Sequence, residues 1–310
     1  MSEREVLCED LALAIDELKG QGFRLDLIYP ADEPQCAVLS KADETVRVST
    51  RNAPPPTDRL PPFQAEFVLT RASDSAGQGR AGMLYRDLIP SRMGGRYIAS
   101  LITIPEGGPV NDWVHYHRIA LQLIYVRRGW VRVVYQDQGE PFTMREGDLV
   151  LQPPGIRHRV LESSPGLEVV EVSAPAVHAT YADHNLQLPN GSNPGRIYGG
   201  QYFLRHLAAD TPWSSADEGL AQLTEVQVAS SGLAEVRTLR PRDGSAMSFG
   251  GQHGELIFGF VLDGSAMLDH RGLHEIGPED AFVIPPGQPW RLTHPTEDFR
   301  LLHVVTAPLD

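Results

Sequence analysis

The chain has 310 residues and a formal charge of −13, from 27 Lys and Arg against 40 Asp and Glu. Such a length fits two domains, and the acidic balance excludes nucleic acid or an anionic membrane surface as main partner, because a polyanion requires a basic footprint. With two cysteines, 29 glycines, 25 prolines and no long apolar run, the composition predicts a reduced, cytoplasmic protein of short strands and tight turns.

Residues 1–95 begin with a helical pattern. Apolar residues recur between acids over residues 3–19, which predicts an amphipathic helix ended by Gly20. The runs "FRLDLIYP", "CAVLS" and "TVRVST" then predict strands, and "NAPPPTDRLPP" predicts a rigid extended connector. We interpret residues 1–95 as an accessory α/β segment that packs on the next domain and lends strands to its sheet.

Beyond residue 95 the chain repeats itself. Four matched pairs carry the repeat: "ITIPEGG" with "TLRPRDG", "EGDLVLQPPG" with "PEDAFVIPPG", "VVEVSAP" with "LLHVVTAP", and "IYVRRGWVRVVY" with "FGFVLDGSAMLDH", the last of which places Gly129 against Gly264. Each copy holds short strands separated by turn residues, at the spacing of a small β-sandwich or barrel. The repeat therefore predicts barrels at 96–178 and 222–310, joined by an Asn-, Gly- and Pro-rich linker at 179–221.

The first copy contains three histidines whose spacing suits a metal ion. His115 and His117 alternate on a predicted strand, so their side chains point to one face. Downstream, Gly147 opens the segment "GDLVLQPPGIRH", in which a Pro-Pro-Gly turn delivers His158. Because imidazole nitrogen is a common ligand of divalent metals, the three together predict a metal site.

This order of Gly, His-x-His, Gly and then Gly, Pro-x-Gly, His resembles the two-part motif of the cupin superfamily. The chain looks like a two-domain cupin, or bicupin, with residues 1–95 unmatched. The resemblance implies an all-β fold of two tandem cupin barrels (double-stranded β-helix, or jelly roll) after the α/β accessory segment. Cupins often pair through their sheets, which implies a homodimer.

The resemblance also implies the metal ligands. His115, His117 and His158 fall on the histidine positions of the motif, whereas Gln122 stands where the family pattern has glutamate. Gln122 is therefore a candidate fourth ligand as an amide replacement, or a residue that hydrogen-bonds inside the barrel without touching the metal.

The second copy lacks this set of ligands. Trp290 matches His158, and no alignment of the copies supplies more than one histidine at the His-x-His positions. We therefore predict that the second barrel is degenerate and metal-free.

Two amides of the first copy stand where the second has isoleucine. Gln122 is matched by Ile257 and Gln152 by Ile284, at positions that should face the barrel interior. A buried amide costs about 1–3 kcal/mol unless it is paired. We therefore expect Gln122 and Gln152 to bind metal, water or substrate. The remaining lining is expected to be apolar: Ile124, Val126, Val131, Val133 and Tyr135.

Three neutral imidazoles and an amide leave the charge of a divalent ion uncompensated, so an anionic chelating substrate is the natural complement. Bicupins and three-histidine cupins include oxygenases that cleave C–C bonds, and the resemblance implies the same class. The first hypothesis is an Fe(II)-dependent dioxygenase acting on a small aromatic diol, hydroxy acid or β-diketone, with Gln122 and Gln152 orienting water or substrate.

Two alternatives stay open. An O2-independent lyase, isomerase or cyclase would use Zn, Mn or Ni as Lewis acid and would need a base, for which Tyr135 and His178 are the nearest candidates. His178 could line the barrel mouth, although a solvated loop is the simpler interpretation. The third hypothesis is a non-enzymatic protein that binds a small molecule. Nitrogen and oxygen ligands alone do not separate Fe from Mn, Ni, Cu or Zn.

Overall fold

The computed structural model describes residues 2–54, 60–74, 76–78 and 83–309. Short strands dominate it and form two barrels in chain order, as the repeat predicts. Part of the predicted proline-rich connector, residues 55–59, lies outside the described residues.

The bounds of the elements follow the chain. The accessory segment contains β1 (Ser2–Leu7), α1 (Leu11–Gly20), β2 (Arg24–Tyr29), β3 (Cys36–Lys41), β4 (Glu44–Ser49), β5 (Val68–Thr70), β6 (Gly77–Gln78) and β7 (Leu84–Asp87). The first barrel contains β8 (Ile98–Ile104), β9 (Gly108–Pro109), β10 (His115–His117), β11 (Leu121–Arg128), β12 (Trp130–Tyr135), β13 (Phe142–Arg145), β14 (Leu149–Leu151), β15 (His158–Ser163) and β16 (Leu167–Ala174).

The connection contains β17 (Thr180–Ala182), β18 (Ile197–Tyr198), β19 (Gln201–Tyr202), β20 (Leu204–His206) and β21 (Ser214–Ala216). The second barrel contains β22 (Gly219–Leu223), α2 (Val226–Ala229), β23 (Ala234–Arg240), β24 (Met247–Phe249), β25 (Ile257–Asp263), β26 (Ala266–Asp269), β27 (Leu273–Ile276), β28 (Ala281–Val283), β29 (Trp290–Thr293) and β30 (Arg300–Thr306).

Each barrel consists of two facing sheets. In the first barrel, β10, β15, β12 and β13 face β14, β11, β16 and β8; in the second, β24, β29, β26 and β27 face β28, β25, β30 and β23. The strands of the two copies correspond one to one in this order. Gly129 and Gly264, matched in the repeat, both follow a long strand with φ of 80° and 65°, a conformation that glycine adopts without strain.

Side-chain alternation on β11 separates two environments. Leu121, Leu123 and Tyr125 pack in a core shared with the second barrel, which includes Phe258 and Phe260. The intervening side chains point into the first barrel, because successive strand residues face opposite sides of the sheet. The barrels therefore pack sheet against sheet, and the interior of the first is enclosed by its own two sheets.

The accessory segment differs from the sequence-based prediction at its start. The helix predicted over residues 3–19 is wrong in its first part, because residues up to Leu7 form β1, which pairs in parallel with β4. The helix begins after Asp10, whose carboxylate caps it by accepting a hydrogen bond from Leu13 N at 3.0 Å. Pairing along a sheet edge outweighs the helical pattern here.

Strands outside the two repeats complete both barrels. Strand β2 pairs with β17, and β17 pairs with β10, so the accessory sheet continues into the sheet that carries His115 and His117. Strand β7 pairs with β8 of the first barrel and β5 with β28 of the second. Within the predicted linker, β20 pairs with β14. No helix in the described ranges is long and apolar enough to cross a membrane.

Candidate metal centre

Three histidines from two neighbouring strands meet inside the first barrel. His115 on β10 is the register partner of His158 on β15, and His117 points to the same face as His115. One ring nitrogen from each lies within 4.8 Å of the others, and all three side chains are buried. The predicted histidine set is thus brought together by strand alternation and by the pairing of β10 with β15.

Each imidazole is oriented by a backbone carbonyl. The Nδ1 atoms lie 2.7 Å from Trp113 O for His115, 3.3 Å from Ala179 O for His117 and 3.1 Å from Ile156 O for His158. Because a carbonyl oxygen only accepts, each Nδ1 carries the proton and each lone pair lies on Nε2. Three Nε2 lone pairs converging in this way fit a divalent cation.

Asp112 supports His115 further. Its Oδ1 lies 3.5 Å from His115 Nδ1, and its Oδ2 accepts a hydrogen bond from Val160 N at 2.9 Å. The backbone contact holds the buried carboxylate in place. A carboxylate behind a ligating imidazole fixes the ring and increases its basicity. Sequence reasoning did not single out Asp112.

Gln122 and Gln152 both point into the barrel, as predicted, and they contact each other. Gln152 Nε2 donates to Gln122 Oε1 at 2.6 Å and lies 3.2 Å from His158 Nε2. Gln122 Nε2 donates to Glu171 Oε1 at 2.9 Å. The Gln122 oxygen is thus engaged by a neighbouring amide, and metal ligation by Gln122 stays a prediction.

Glu171 changes the expected electrostatics of the site. The sequence interpretation treated the centre as free of carboxylate charge, but Glu171 projects from β16 into the same pocket. Its carboxylate is not one of the clustered ligands, and hydrogen bonds through Gln122 and Gln152 link it to His158. The candidate metal position therefore has neutral side chains next to it and two carboxylates further out: Asp112 behind His115, and Glu171 two hydrogen bonds away from Gln152.

Tyr135 contacts Gln152 on the side away from Gln122. Its hydroxyl donates to Gln152 Oε1 at 2.9 Å. Burial, with the charges of Glu171 and Asp112, raises the pKa of Tyr135 well above its ordinary value. The phenol is therefore a hydrogen-bond donor at ordinary pH, which weighs against Tyr135 as the base of a lyase.

The pocket beside the histidines is small and mostly apolar. It encloses about 100 Å³, and its polar members are His117, Gln122, Gln152, His158 and Glu171. Aliphatic, methionine and tyrosine side chains form the rest of the wall: Met83, Tyr85, Ile102, Ile104, Ile124, Val131, Val133, Tyr135, Met144, Val160, Leu167 and Val169. Most of the apolar lining predicted from β11 and β12 lies here.

His178 lies beside the centre rather than in a solvated loop. Its side chain is buried, and its ring centroid is 5.3 Å from that of His117. Nδ1 contacts Pro175 O at 2.9 Å, while the buried Nε2 has no hydrogen-bond partner among the described residues. The interpretation as a solvated residue is wrong: His178 lies in the loop between β16 and β17, but the chain there turns back against β10 and buries the side chain.

Comparisons with known proteins agree with this geometry. The Cupin domain family matches residues 100–172, which span β8 to β16 and include all three histidines. No curated protein matches the sequence.

Solved structures of similar fold share little sequence with the chain. A salicylate 1,2-dioxygenase from Pseudaminobacter salicylatoxidans is 16% identical with a TM-score of 0.57, over 80% of this chain and 86% of that chain. An oxalate decarboxylase from Lactobacillus farciminis is 14% identical, TM-score 0.56, over 78% and 86%. Ylba from E. coli is 11% identical, TM-score 0.55, over 81% and 96%.

These likenesses establish the fold and leave the activity open. The family match, the three converging imidazoles and the sheet order lead to one conclusion: the first barrel is a cupin domain, and the second barrel repeats its architecture.

Proposed function

We propose that the protein is a metal-dependent dioxygenase that holds Fe(II) through His115, His117 and His158. Its substrate is a small anionic chelator such as an aromatic diol, a hydroxy acid or a β-diketone. The likeness to a salicylate dioxygenase supports the reaction class by analogy only.

The observation that carries the proposal is the composition of the site. Three oriented imidazoles converge beside an apolar pocket that His117 and His158 line, and no aspartate or glutamate of the described residues is part of the ligand cluster. A divalent ion held by these three histidines would keep much of its positive charge, would act as a Lewis acid toward an anionic oxygen and would have room for further ligands.

The pocket volume narrows the choice of substrate. A cavity of about 100 Å³ is smaller than the roughly 150 Å³ that admits benzene in an apolar protein core. One ring or a short chain fits with small side-chain movements, whereas a three-ring flavonol does not. The apolar wall excludes bulk water and strengthens polar contacts made by the ligand.

The protein's own residues then orient the substrate. Gln152 presents an amide N–H next to His158, and Tyr135 holds that amide from behind. The hydroxyl of Tyr135 stays protonated, so it fixes the amide without competing for a substrate proton. Gln122 joins Gln152 to Glu171, and the four side chains form one hydrogen-bonded group.

The direct test measures metal content and O2 uptake on protein purified without a metal-affinity tag. Catechol, gentisate, salicylate and acetylacetone are supplied under Fe(II) loading, with and without O2. The proposal expects substrate-dependent O2 consumption that is lost in His158→Ala and retained in His274→Ala, a histidine of the second barrel. Turnover without O2 would contradict the dioxygenase and indicate a lyase or isomerase. A protein that holds no metal and binds no ligand in the pocket would refute both.

One observation favours the lyase alternative as second candidate. His178 is buried beside His117 with Nε2 lacking a partner among the described residues, and a lyase or isomerase needs a proton acceptor near the metal. His178→Gln would abolish anaerobic turnover under this alternative and leave O2-dependent turnover largely intact under the first proposal.

The homodimer and the cytoplasmic setting stay predictions. Light scattering on the purified full chain tests the first, with twice the mass of 34.1 kDa as the expected result and a monomer as the contradicting one.

A further inference from the structure

Glu171 ends a continuous chain of hydrogen bonds that crosses the pocket. The Tyr135 hydroxyl donates to Gln152 Oε1 at 2.9 Å, Gln152 Nε2 donates to Gln122 Oε1 at 2.6 Å, and Gln122 Nε2 donates to Glu171 Oε1 at 2.9 Å. Ser173 Oγ also donates to Glu171 Oε1 at 2.9 Å and holds the carboxylate in place.

The direction of such a chain is decided at its ends. A side-chain amide has a donating and an accepting end and can point either way, and a phenol can donate or accept. The Glu171 carboxylate only accepts, so Gln122 must turn its NH2 group toward it and its oxygen toward Gln152. Gln152 must then offer its NH2 group to Gln122 and its oxygen to Tyr135. One carboxylate thus sets the direction of every link.

This direction determines what the pocket offers to a ligand. The second N–H of Gln152 points to His158 Nε2 at 3.2 Å. A metal ion on that nitrogen would occupy its lone pair, and the N–H of Gln152 would then be available to an acceptor atom of a ligand in the pocket. The reverse direction would place the Gln152 carbonyl oxygen there, which repels an anionic oxygen.

We propose that Glu171 is a positioning residue which fixes the direction of the Tyr135–Gln152–Gln122 chain, so that Gln152 donates a hydrogen bond to an anionic oxygen of the substrate. This inference rests on the anionic substrate of the proposed function, and it identifies Glu171 as the residue that makes the pocket favour an anion. In this role Glu171 acts through the two amides, although its carboxylate also lines the pocket.

One substitution should change anion affinity in opposite directions under this role and under simple electrostatics. Glu171→Gln removes a negative charge near the pocket, and Coulomb attraction alone would then strengthen the binding of an anion. A glutamine at position 171 also frees the chain to reverse, because it can donate to Gln122. The positioning role therefore predicts weaker anion binding, the opposite of the charge effect.

The experiment uses the full chain loaded with Zn(II), which is redox-inert, and titrates salicylate by calorimetry. Salicylamide is the neutral probe of the same shape, and Glu162→Gln, a charge removal on β15 outside the pocket lining, is the matched control. We expect Glu171→Gln to bind salicylate about tenfold or more weakly, the effect of a lost hydrogen bond to a charged group. The affinity for salicylamide should fall less in Glu171→Gln. Glu162→Gln should bind salicylate as tightly as the wild type.

A second variant and an NMR spectrum show whether weaker binding comes from the reversed hydrogen bonds or from loss of folding. Gln122→Met breaks the chain at its centre while retaining Glu171 and similar volume, so salicylate should again bind more weakly. In the zinc-free protein, the ¹⁵N shift of His158 Nε2 should change in Glu171→Gln because the donating N–H is lost, whereas a purely structural role leaves this shift in place.

The outcomes also separate this inference from the proposed function. Unchanged or tighter salicylate binding in zinc-loaded Glu171→Gln overturns the positioning role, whatever the O2 assay shows. A wild type that takes up zinc and binds no salicylate, or takes up no zinc, overturns it as well. Salicylate binding with the expected loss, together with no O2 uptake on any substrate, supports the inference and refutes the dioxygenase.

Discussion

The two barrels share a framework and differ in what fills it. Four interior positions of the first barrel correspond to four of the second: Gln122 to Ile257, Gln152 to Ile284, His158 to Trp290 and Glu171 to His303. In the second barrel Trp290 stacks on Phe249 with ring centroids 3.6 Å apart and planes inclined by 3°. A large aromatic pair thus occupies the region where the first barrel has imidazoles and a pocket.

The difference shows how one fold serves two purposes. The second barrel is stabilised by close apolar packing of its interior. The first replaces that packing by a pocket and by buried polar groups that must satisfy each other, which costs stability and provides a site. The shared core between the sheets, with Leu121, Leu123, Phe258 and Phe260, couples the two barrels.

The largest expected effect concerns the aromatic filling of the second barrel. Trp290→Ala removes a side chain that is 1% exposed and should lower the free energy of unfolding by about 3–5 kcal/mol. Urea unfolding measures the change in stability. Metal content is the second readout and should stay the same. Trp213→Ala, a partly exposed tryptophan on Arg240, is the matched control. A small loss, or loss of metal, would contradict the division of roles.

His303 provides a test through pH. Burial, and then the charge of Arg237, lowers the pKa of His303 from 6.5 to about 3. The folded state therefore favours neutral His303; its contribution to stability is complete above pH 6.5 and is lost as the pH falls from about 6.5 to about 3. His303→Leu removes this loss, so its stability relative to wild type should be higher at pH 4 than at pH 8.

Urea unfolding at both pH values checks this prediction. His253→Leu, which changes an exposed histidine of the same barrel, controls for the substitution itself. Equal differences between His303→Leu and wild type at the two pH values would show that this buried histidine does not oppose protonation.

A smaller effect is expected from Gln122→Glu, which restores the glutamate of the family motif. The new carboxylate lies against Glu171, at a position now bridged by a 2.9 Å hydrogen bond, and adds negative charge near the metal. Affinity of the zinc-loaded protein for salicylate should fall about tenfold. Gln227→Glu changes an exposed residue of α2 and adds the same charge in the second barrel, outside the pocket lining. Unchanged or tighter binding would refute the argument from a neutral ligand set.

Much of this site follows from local patterns. The histidine set, the inward direction of Gln122 and Gln152 and the barrel architecture depend on strand alternation and turn glycines, which a sequence displays. Glu171 depends on cross-strand register, since Gln122 pairs with Ser173 and therefore meets Glu171 diagonally. The repeat held a signal, because "VVEVSAP" and "LLHVVTAP" both carry a polar residue at this inward position.

Two further predictions failed for non-local reasons. Strand β1 forms because β4 offers a free edge, although the local pattern is helical. His178 is buried because the chain returns beside β10 as β17, which no spacing of residues indicates. The asymmetry between the barrels was readable from the sequence, whereas the contacts that complete the site come from segments outside the repeats.

Metal content of the untagged full chain tests the central claim most directly. Elemental analysis after equilibration with Fe(II) or Zn(II) should find about one ion per chain in the wild type and in His270→Ala, a buried histidine of the second barrel. His158→Ala should weaken binding by about a hundredfold or more. A wild type without metal, or a His158→Ala protein that keeps its full complement, would contradict the assignment of the metal centre to the first barrel.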